Sequence, residues 1–299
     1  MVKKLLLLVW LGHVLTAQAT SDDAIILGQD QELASAVPKY TSAPNLRSAI
    51  ALVYDEQGQR PLYSKNADTV VPIASVTKLM TAMVLLDAQL PPEEEISIST
   101  QDMDRYKGTR SRIRPDTVLT RGELLMLALM SSENSAAAAL ARTFPGGSNA
   151  AVAMMNAKAR ELGMHDTYFR DSTGLHSGNV STARDLVKMI VAAQQYEAIR
   201  QDTTTSSYMV QSGGVSSRPM RFGNTNPLLK NESWEIGLSK TGYISEAGKC
   251  LVMAATITQR PVIIVLLNSW GKHTRVGDAN RIRKWMEGTS ASGPKARRG

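Results

Sequence analysis

The spacing of hydrophobic residues predicts a strand pair followed by a helix near the start of the chain. Ala49 to Tyr54 is a short apolar run, and Pro61 to Ser64 returns after the turn Asp55-Glu56-Gln57-Gly58, which is typical of two paired strands. From Ser75 to Leu90 the apolar residues recur every three or four positions, which predicts a helix.

The middle of the chain is expected to be a helical region, because Ala, Leu and Met recur there at helical spacing. Thr120 stands three residues before Glu123, the spacing of a capping box, and Ser181 or Thr182 can cap a helix that contains Asp185. The predicted helices are Arg121–Met130, Ala136–Thr143, Asn149–Leu162 and Thr182–Ala193.

The last third of the chain changes to β-branched residues separated by Gly, Asn and Pro, which predicts strands. These strands are Tyr208–Gln211, Glu235–Lys240, Leu251–Ile257 and Val262–Leu267, and a helix over Thr274–Glu287 follows. Strands at both ends with helices between them indicate an α/β (α+β) fold. In this fold one sheet is assembled from distant parts of the chain, and helices cover it.

The N-terminus has the order of a secretory signal peptide. Lys3 and Lys4 precede an apolar run from Leu5 to Leu11, and Ala17-Gln18-Ala19 offers a cleavage site. The run is far shorter than the roughly 20 residues that span a bilayer, which disfavours a membrane anchor. Residues 20–44 mix polar residues and Pro without periodicity and predict a flexible segment. The sequence therefore predicts cleavage of residues 1–19 and export.

Composition and charge narrow the class of protein. Hydrophobic residues make up 43% and charged residues 20%, as in globular proteins. The net charge of +7 falls to +5 without residues 1–19, which suits an anionic partner such as cell-wall polymer. Basic residues cluster only in the tail Lys295–Arg298, which disfavours nucleic acid. Cys250 is the single cysteine, so no intramolecular disulfide forms, and its apolar neighbours predict a buried thiol.

Ser75-Val76-Thr77-Lys78 places a hydroxyl and an amine three residues apart at the start of a predicted helix, on one face. The amine can take the hydroxyl proton if its pKa is lowered, and the apolar neighbours Ile73, Leu79 and Met80 would lower it by desolvation. Free N–H groups at the helix start also favour a developing negative charge. The segment is therefore a candidate for nucleophilic catalysis.

This tetrapeptide pattern is weak by itself, because chance gives it on the order of once or twice in a chain of this length. Ser269 to Lys272 and Ser292 to Lys295 match it too. The first of these follows a strand into a glycine turn, and the second lies in the tail. Neither opens a helix, so Ser75 is favoured.

A Ser-x-Asn pattern occurs twice. Ser132-Glu133-Asn134 stands at a corner between two predicted helices, whereas Ser177-Gly178-Asn179 lies in a turn-rich stretch. Ser132 is favoured over Ser177 because its apolar flanks can fix the hydroxyl and the amide inside a cleft.

Lys240-Thr241-Gly242 ends a predicted strand and occurs once. The ammonium and hydroxyl can bind a substrate carboxylate, while glycine allows close approach to the strand backbone. Alone, such a tripeptide is more often a strand that ends in a turn. Here it follows the other two patterns in the order found in penicillin-binding proteins and class A β-lactamases.

The trio and several further stretches resemble the low-molecular-mass D-alanyl-D-alanine peptidases, and most closely the penicillin-binding protein 7/8 type, which are endopeptidases. Ser-Glu-Asn resembles the endopeptidases, whereas the carboxypeptidases usually carry Ser-Gly-Asn. The resemblance covers residues 45–287 and implies one domain with the β-lactamase/transpeptidase-like fold, followed by a flexible tail at 288–299. The further stretches are Leu129–Ser131, Asn156–Ala159, Leu162–Met164, Thr173–Leu175, Val180–Leu186 and Tyr243.

The resemblance implies the catalytic roles. Ser75 would be the acylated nucleophile, Lys78 its base, and Ser132 a relay that passes a proton to the leaving amine. The backbone N–H groups of Ser75 and Tyr243 would form the oxyanion hole. No metal and no organic cofactor is implied.

The resemblance also implies the binding roles and the partners. Asn134 would bind the substrate amide, and Lys240 and Thr241 the terminal carboxylate beside Gly242. The partners would be peptidoglycan stem peptides and cross-links, β-lactam antibiotics, and other wall hydrolases or synthases, in the periplasm. The linker-like composition of residues 288–293 limits membrane contact to a peripheral one.

Four alternatives stay open. The enzyme would be a carboxypeptidase if it trims terminal D-alanine, or a β-lactamase if a glutamate such as Glu161 activates water for deacylation. An inactive wall-binding module would keep the groove without the chemistry, but all the polar residues of the trio are present. A Ser-His-Asp hydrolase would need His165 or His176 as base, and no Gly-x-Ser-x-Gly elbow accompanies them.

Overall fold

The computed structural model describes residues 42–104, 107–109, 111–211 and 219–290. The predicted signal peptide, nearly all of the predicted flexible segment and the last nine residues of the tail lie outside the described residues. Within the described ranges, no helix combines the length and the apolar character needed to cross a membrane.

The centre of the fold is a five-stranded sheet with the strand order β2-β1-β11-β10-β9, in which every neighbouring pair is antiparallel. Its first strand pairs with its last, for example Leu52 with Val265, so that the two ends of the domain meet in one sheet as predicted. The strands are β1 Ile50–Asp55, β2 Arg60–Lys65, β9 Glu235–Ile244, β10 Gly248–Ile257 and β11 Arg260–Ser269.

Helices cover both faces of this sheet, which explains why β10 and β11 carry nearly continuous apolar runs. On one face lies the helical region, where α5 packs on β1 and β11 and the fully apolar face of α1 is surrounded by other helices. On the other face α7 packs on β10 and β11. The helices are α1 Lys78–Asp87, α2 Arg121–Met130, α3 Asn134–Arg142, α4 Gly147–Glu161, α5 Ala183–Ala193, α6 Glu197–Thr204 and α7 Thr274–Ser290.

The predicted caps and the predicted buried thiol are confirmed. Thr120 Oγ1 accepts a hydrogen bond from Glu123 N at the start of α2, and Glu123 reaches back to Thr120 N. Thr182, one of the two candidates, caps α5. Cys250 is buried, and its burial raises the pKa of the thiol to about 11, which keeps it protonated.

Five of six short strands were not predicted, because two to four residues are too few to show a period. Helix α6, of eight residues, was not predicted either. The short strands are β3 Val71–Pro72 with β6 Val180–Ser181, β4 Glu95–Ser97 with β5 Val118–Thr120, and β7 Ser207–Val210 with β8 Met220–Gly223. Of these, only β7 corresponds to a predicted strand.

Several predicted boundaries were wrong, three of them at the site or at the end of the domain. The single helix predicted from Ser75 is a 3₁₀ turn at Ala74–Thr77 followed by α1. Strand β9 continues past Lys240 to Ile244, so Lys-Thr-Gly lies within a strand instead of ending one. The last helix, predicted to end at Glu287, runs to Ser290.

Candidate active site

Ser75 lies in the turn Ala74–Thr77, pressed between two glycines from distant parts of the chain. A Cβ on Gly174 would lie 2.0 Å from the Ala74 carbonyl oxygen, and one on Gly242 would lie 2.9 Å from the Ile73 carbonyl oxygen. Neither position tolerates a side chain. The two glycines therefore let a loop and strand β9 touch the backbone around Ser75, which is itself half-buried.

Lys78 opens α1, and its amine is buried against three oxygen atoms. Lys78 Nζ lies 3.0 Å from Ser75 Oγ, 2.8 Å from Asn134 Oδ1 and 2.6 Å from the Thr173 carbonyl oxygen. A neutral amine has two hydrogens and one lone pair. If Asn134 and Thr173 take the two hydrogens, the lone pair faces the Ser75 hydroxyl.

The surroundings of Lys78 bring its amine to a pKa suited to a base. Burial of the side chain lowers the pKa to about 7, while the negative charges of Asp171 and Glu133 oppose this effect. A substantial fraction of the amine is therefore neutral near pH 7. The desolvation predicted from the apolar neighbours is found, and Ile73, Leu79 and Met80 are all buried.

Ser132 and Lys240 form a second serine–lysine pair in the same cleft. Lys240 Nζ donates to Ser132 Oγ over 2.8 Å. Ser132 has a φ of 63°, a left-handed conformation that the corner between α2 and α3 imposes. The next residue, Glu133, donates its N–H to the Leu127 carbonyl, which closes that corner. The geometry turns the Ser132 hydroxyl toward β9.

Lys240 is almost completely buried, and its charge is disfavoured. Burial lowers its pKa well below the ordinary value, and the nearby charges of Lys78 and Arg275 lower it further. Thr241, also buried, donates its hydroxyl to Thr225 Oγ1 over 2.7 Å. An anion in this part of the cleft would favour protonation of Lys240.

Tyr243 projects outward, beyond Gly242 on the same strand. Its side chain is 59% exposed, and Lys249 Nζ lies 4.1 Å from the centre of its ring. Arg275 donates to the Gly242 carbonyl oxygen over 3.2 Å, which ties this part of β9 to α7. A Cβ on Gly242 would lie 3.0 Å from Ser75 N, so the backbone at Gly242 lies next to the Ser75 turn.

The competing motif residues lie elsewhere. Asn179 of the second Ser-x-Asn match is fully buried beneath the Ser75 turn and does not face the cleft. His165 and His176 are exposed, and the Ser75 hydroxyl is paired with Lys78 instead. Glu161 has a side chain that is 71% exposed at the end of α4, beside Lys158, which is unsuited to hold a water molecule against a buried ester.

The sequence patterns did not reveal four residues that contact the site. Thr173 was noted only within a stretch that carries the family resemblance, and its carbonyl proves to be an acceptor for Lys78. Thr225, Asp171 and Arg275 stand in no motif, and each reaches the site from a loop or helix far away in sequence. These three residues come close to the site only in the folded chain, so their positions in the sequence do not mark them.

A cavity of about 610 Å³ opens beside the pair Asn134 and Thr173. This volume is in the range of ligand-binding clefts. Among the described residues, no group of three or more His, Cys, Asp or Glu side chains is arranged to hold a metal ion.

Residues 37–271 match peptidase family S11, described as D-alanyl-D-alanine carboxypeptidase. The chain belongs to this family. A D-alanyl-D-alanine endopeptidase of Pseudomonas aeruginosa is 49% identical over 242 residues, which cover 81% of this chain and 78% of the relative. A D-alanyl-D-alanine endopeptidase of Escherichia coli is 45% identical over 246 residues, covering 82% of this chain and 79% of the relative.

Solved structures of the family share the fold. The Streptomyces K15 DD-transpeptidase superposes with a TM-score of 0.76 at 30% identity, covering 83% of this chain and 99% of that one. A D-alanyl-D-alanine carboxypeptidase from Mycobacterium tuberculosis gives a TM-score of 0.74 at 27% identity, covering 85% and 95%. The predicted fold class and the predicted class of serine peptidase are confirmed.

Proposed function

We propose that this chain is an endopeptidase that cleaves D-alanyl cross-links of peptidoglycan through an acyl-enzyme on Ser75, and that penicillins acylate the same serine. The observation that carries the proposal is the buried Lys78 amine, which lies within hydrogen-bond distance of Ser75 Oγ, Asn134 Oδ1 and the Thr173 carbonyl oxygen. This pairing provides a nucleophile with its base already in place.

In the first half-reaction Ser75 Oγ bonds to the carbonyl carbon of a D-alanyl residue, and its proton passes to Lys78 Nζ. The N–H groups of Ser75 and Tyr243 would donate hydrogen bonds to the carbonyl oxygen and stabilise the negative charge that develops on it. The C–N bond then breaks, and Ser132 passes a proton to the leaving amine. The proton that Lys78 took from Ser75 balances the one that Ser132 gives up. Water hydrolyses the ester in the second half-reaction and restores the Ser75 hydroxyl.

Lys240 and Thr241 would bind the carboxylate that neighbours the scissile bond. A carboxylate beside Lys240 favours its protonated form, so that binding of the anion and uptake of a proton strengthen each other. The cavity beside Asn134 would hold the stem peptide of the acyl donor, with the Asn134 amide as a hydrogen-bond partner.

Endopeptidase activity is favoured over carboxypeptidase activity by the names of the relatives at 49% and 45% identity and by the Ser-Glu-Asn form of the second motif. The family description keeps carboxypeptidase activity as the second candidate. We expect cross-linked muropeptide dimers to be converted to monomers by the native chain, as followed by chromatography and mass spectrometry. Enzyme blocked beforehand with penicillin is the control. Loss of a single alanine per dimer would establish the carboxypeptidase instead, and no product at all would contradict both.

We also infer that the enzyme works in the periplasm after removal of residues 1–19. The substrate lies outside the cytoplasm, and the order of charged, apolar and small residues at the N-terminus supports export. Contacts with other wall hydrolases or synthases, and a peripheral contact with the membrane, stay predictions. Amino-terminal sequencing of the protein recovered from the periplasm checks the cleavage site.

Ser132→Ala should slow acylation by a fluorescent penicillin about 100-fold, because the proton relay to the leaving group is lost. Ser177→Ala is the matched control, since Ser177 starts the other Ser-x-Asn sequence, whereas the two lysines of the cleft bond to Ser75 and Ser132. Its rate should stay within about twofold of the native rate. Equal rates in the two variants would remove Ser132 from the mechanism.

A further inference from the structure

Asn179 connects to both ends of the turn that carries Ser75. Its backbone carbonyl accepts from Ile73 N over 3.0 Å, and its side-chain Nδ2 donates to Thr77 Oγ1 over 3.0 Å. The side-chain Oδ1 accepts from the N–H groups of Arg170 and Asp171 at 2.7 and 3.1 Å. Asn179 is fully buried, so all these bonds are made away from water.

Asp171 continues this network toward the lysine. Its carboxylate accepts from Asn179 Nδ2 at 2.8 Å, from Thr173 Oγ1 at 2.6 Å and from Gly174 N at 2.9 Å. These bonds fix the peptide between Thr173 and Gly174, whose carbonyl accepts from Lys78 Nζ. The same peptide brings Gly174 against the Ala74 carbonyl.

The Ser75 turn needs such support from outside. Ala74 has a φ of 49°, which is unfavourable for a residue with a Cβ and persists only where surrounding contacts hold it. The turn has no side-chain cap of its own. The contacts of Asn179 with Ile73 and Thr77, on either side of Ala74 and Ser75, supply what is missing.

We propose that Asp171 and Asn179 are positioning residues that clamp the Ser75 turn and aim the Lys78 amine at the Ser75 hydroxyl. The inference rests on the proposed roles of Ser75 and Lys78. Neither residue of the clamp touches the reacting atoms. Asn179 holds the nucleophile, and Asp171 holds the carbonyl that takes one hydrogen of the amine.

The clamp also acts on the charge of Lys78. Three charged groups face the amine: Asp171 from the loop, Glu133 from the corner before α3, and Lys240 from β9. The two carboxylates raise the pKa of Lys78, whereas burial lowers it. Loss of the Asp171 charge therefore lowers the pKa further, and the neutral base persists to lower pH.

The test measures the second-order rate of acylation by a fluorescent penicillin from pH 5 to pH 9. Asp171→Asn is expected to lower the rate on the alkaline plateau about tenfold or more, because the Thr173 carbonyl is less well held. Its acidic limb should move to lower pH by about half a unit. Thr173→Val removes one bond to Asp171 without removing charge, so its plateau should fall while its limb stays in place.

Asp185→Asn is the matched control. Asp185 likewise accepts from a backbone N–H and a threonine hydroxyl, those of Asp166 and Thr167, but it contributes nothing to the charge around Lys78. Its limb should not move. If the limb of Asp171→Asn also stays in place, and its plateau falls only with the folded fraction measured by circular dichroism, the clamp is overturned. If mass spectrometry finds no penicillin on Ser75 of the native chain, the proposed function fails instead.

Discussion

The Ser75→Ala variant is expected to form no covalent adduct with a fluorescent penicillin and to cleave muropeptide dimers at least about 10⁴-fold more slowly than the native chain. The reason is that the Ser75 hydroxyl is the proposed nucleophile and lies 3.0 Å from the Lys78 amine, its proposed base. Gel fluorescence measures the adduct, and mass spectrometry of the tryptic peptide locates it. The change removes one oxygen from a half-buried side chain, so the fold should be preserved.

Ser292→Ala is the control for this prediction, because Ser292 begins another Ser-x-x-Lys sequence in the same chain. Full labelling of Ser292→Ala with none of Ser75→Ala assigns the chemistry to the sequence that opens the buried helix. Residual labelling of Ser75→Ala at the native rate would show that another residue is acylated.

Lys78→Met should lower the rate of acylation by about 10²- to 10⁴-fold, because methionine has a similar length but no amine to accept the Ser75 proton. The native rate should rise with pH through about 7, as Lys78 loses its proton, and level off above that value. The variant should lack this limb. Stopped-flow acylation across the pH range measures both effects.

Lys188→Met is the matched control for Lys78→Met. Lys188 lies on α5, is partly exposed, and bonds to Asp185 and to the Gly163 carbonyl, so its bonds do not involve Ser75 or Lys78. It should keep the native rate and the native pH limb. A Lys78→Met variant with the native limb would show that another group is the base, and Lys240 would be the next candidate.

The long elements could be predicted from the sequence because each carries its pattern over many residues: apolar residues at helical spacing in the helices, and nearly continuous apolar runs in the strands that are covered on both faces. Strands β1, β10 and β11 and helices α2 and α5 are examples. The turn at Ala74 could not be predicted, since local preference continues the helix back to Ser75. Contacts with Gly174 and Gly242, from distant parts of the chain, override that preference.

The residues of the candidate site likewise divide into those that the sequence predicted and those that it did not. The patterns around Ser75, Ser132 and Lys240 were visible because their residue types carry the chemistry, and the structure brings them into one cleft. Asp171 was invisible because a single aspartate in a polar loop has no spacing that marks it. Asn179 did stand in a Ser-x-Asn pattern, but in the match that the sequence disfavoured, and the pattern did not indicate the buried position that Asn179 occupies.

The contacts of Lys78 join segments far apart along the chain. Its partner Thr173 is 95 residues away, and the neighbouring pair of Lys240 and Ser132 spans 108. Such pairs form only when most of the chain has found its native arrangement, since closing loops of that length requires the rest of the domain. The extent of covalent labelling by penicillin is therefore a measure of the fraction of molecules that are natively folded. A labelling titration along a urea gradient would report the global unfolding transition of this protein without any optical probe.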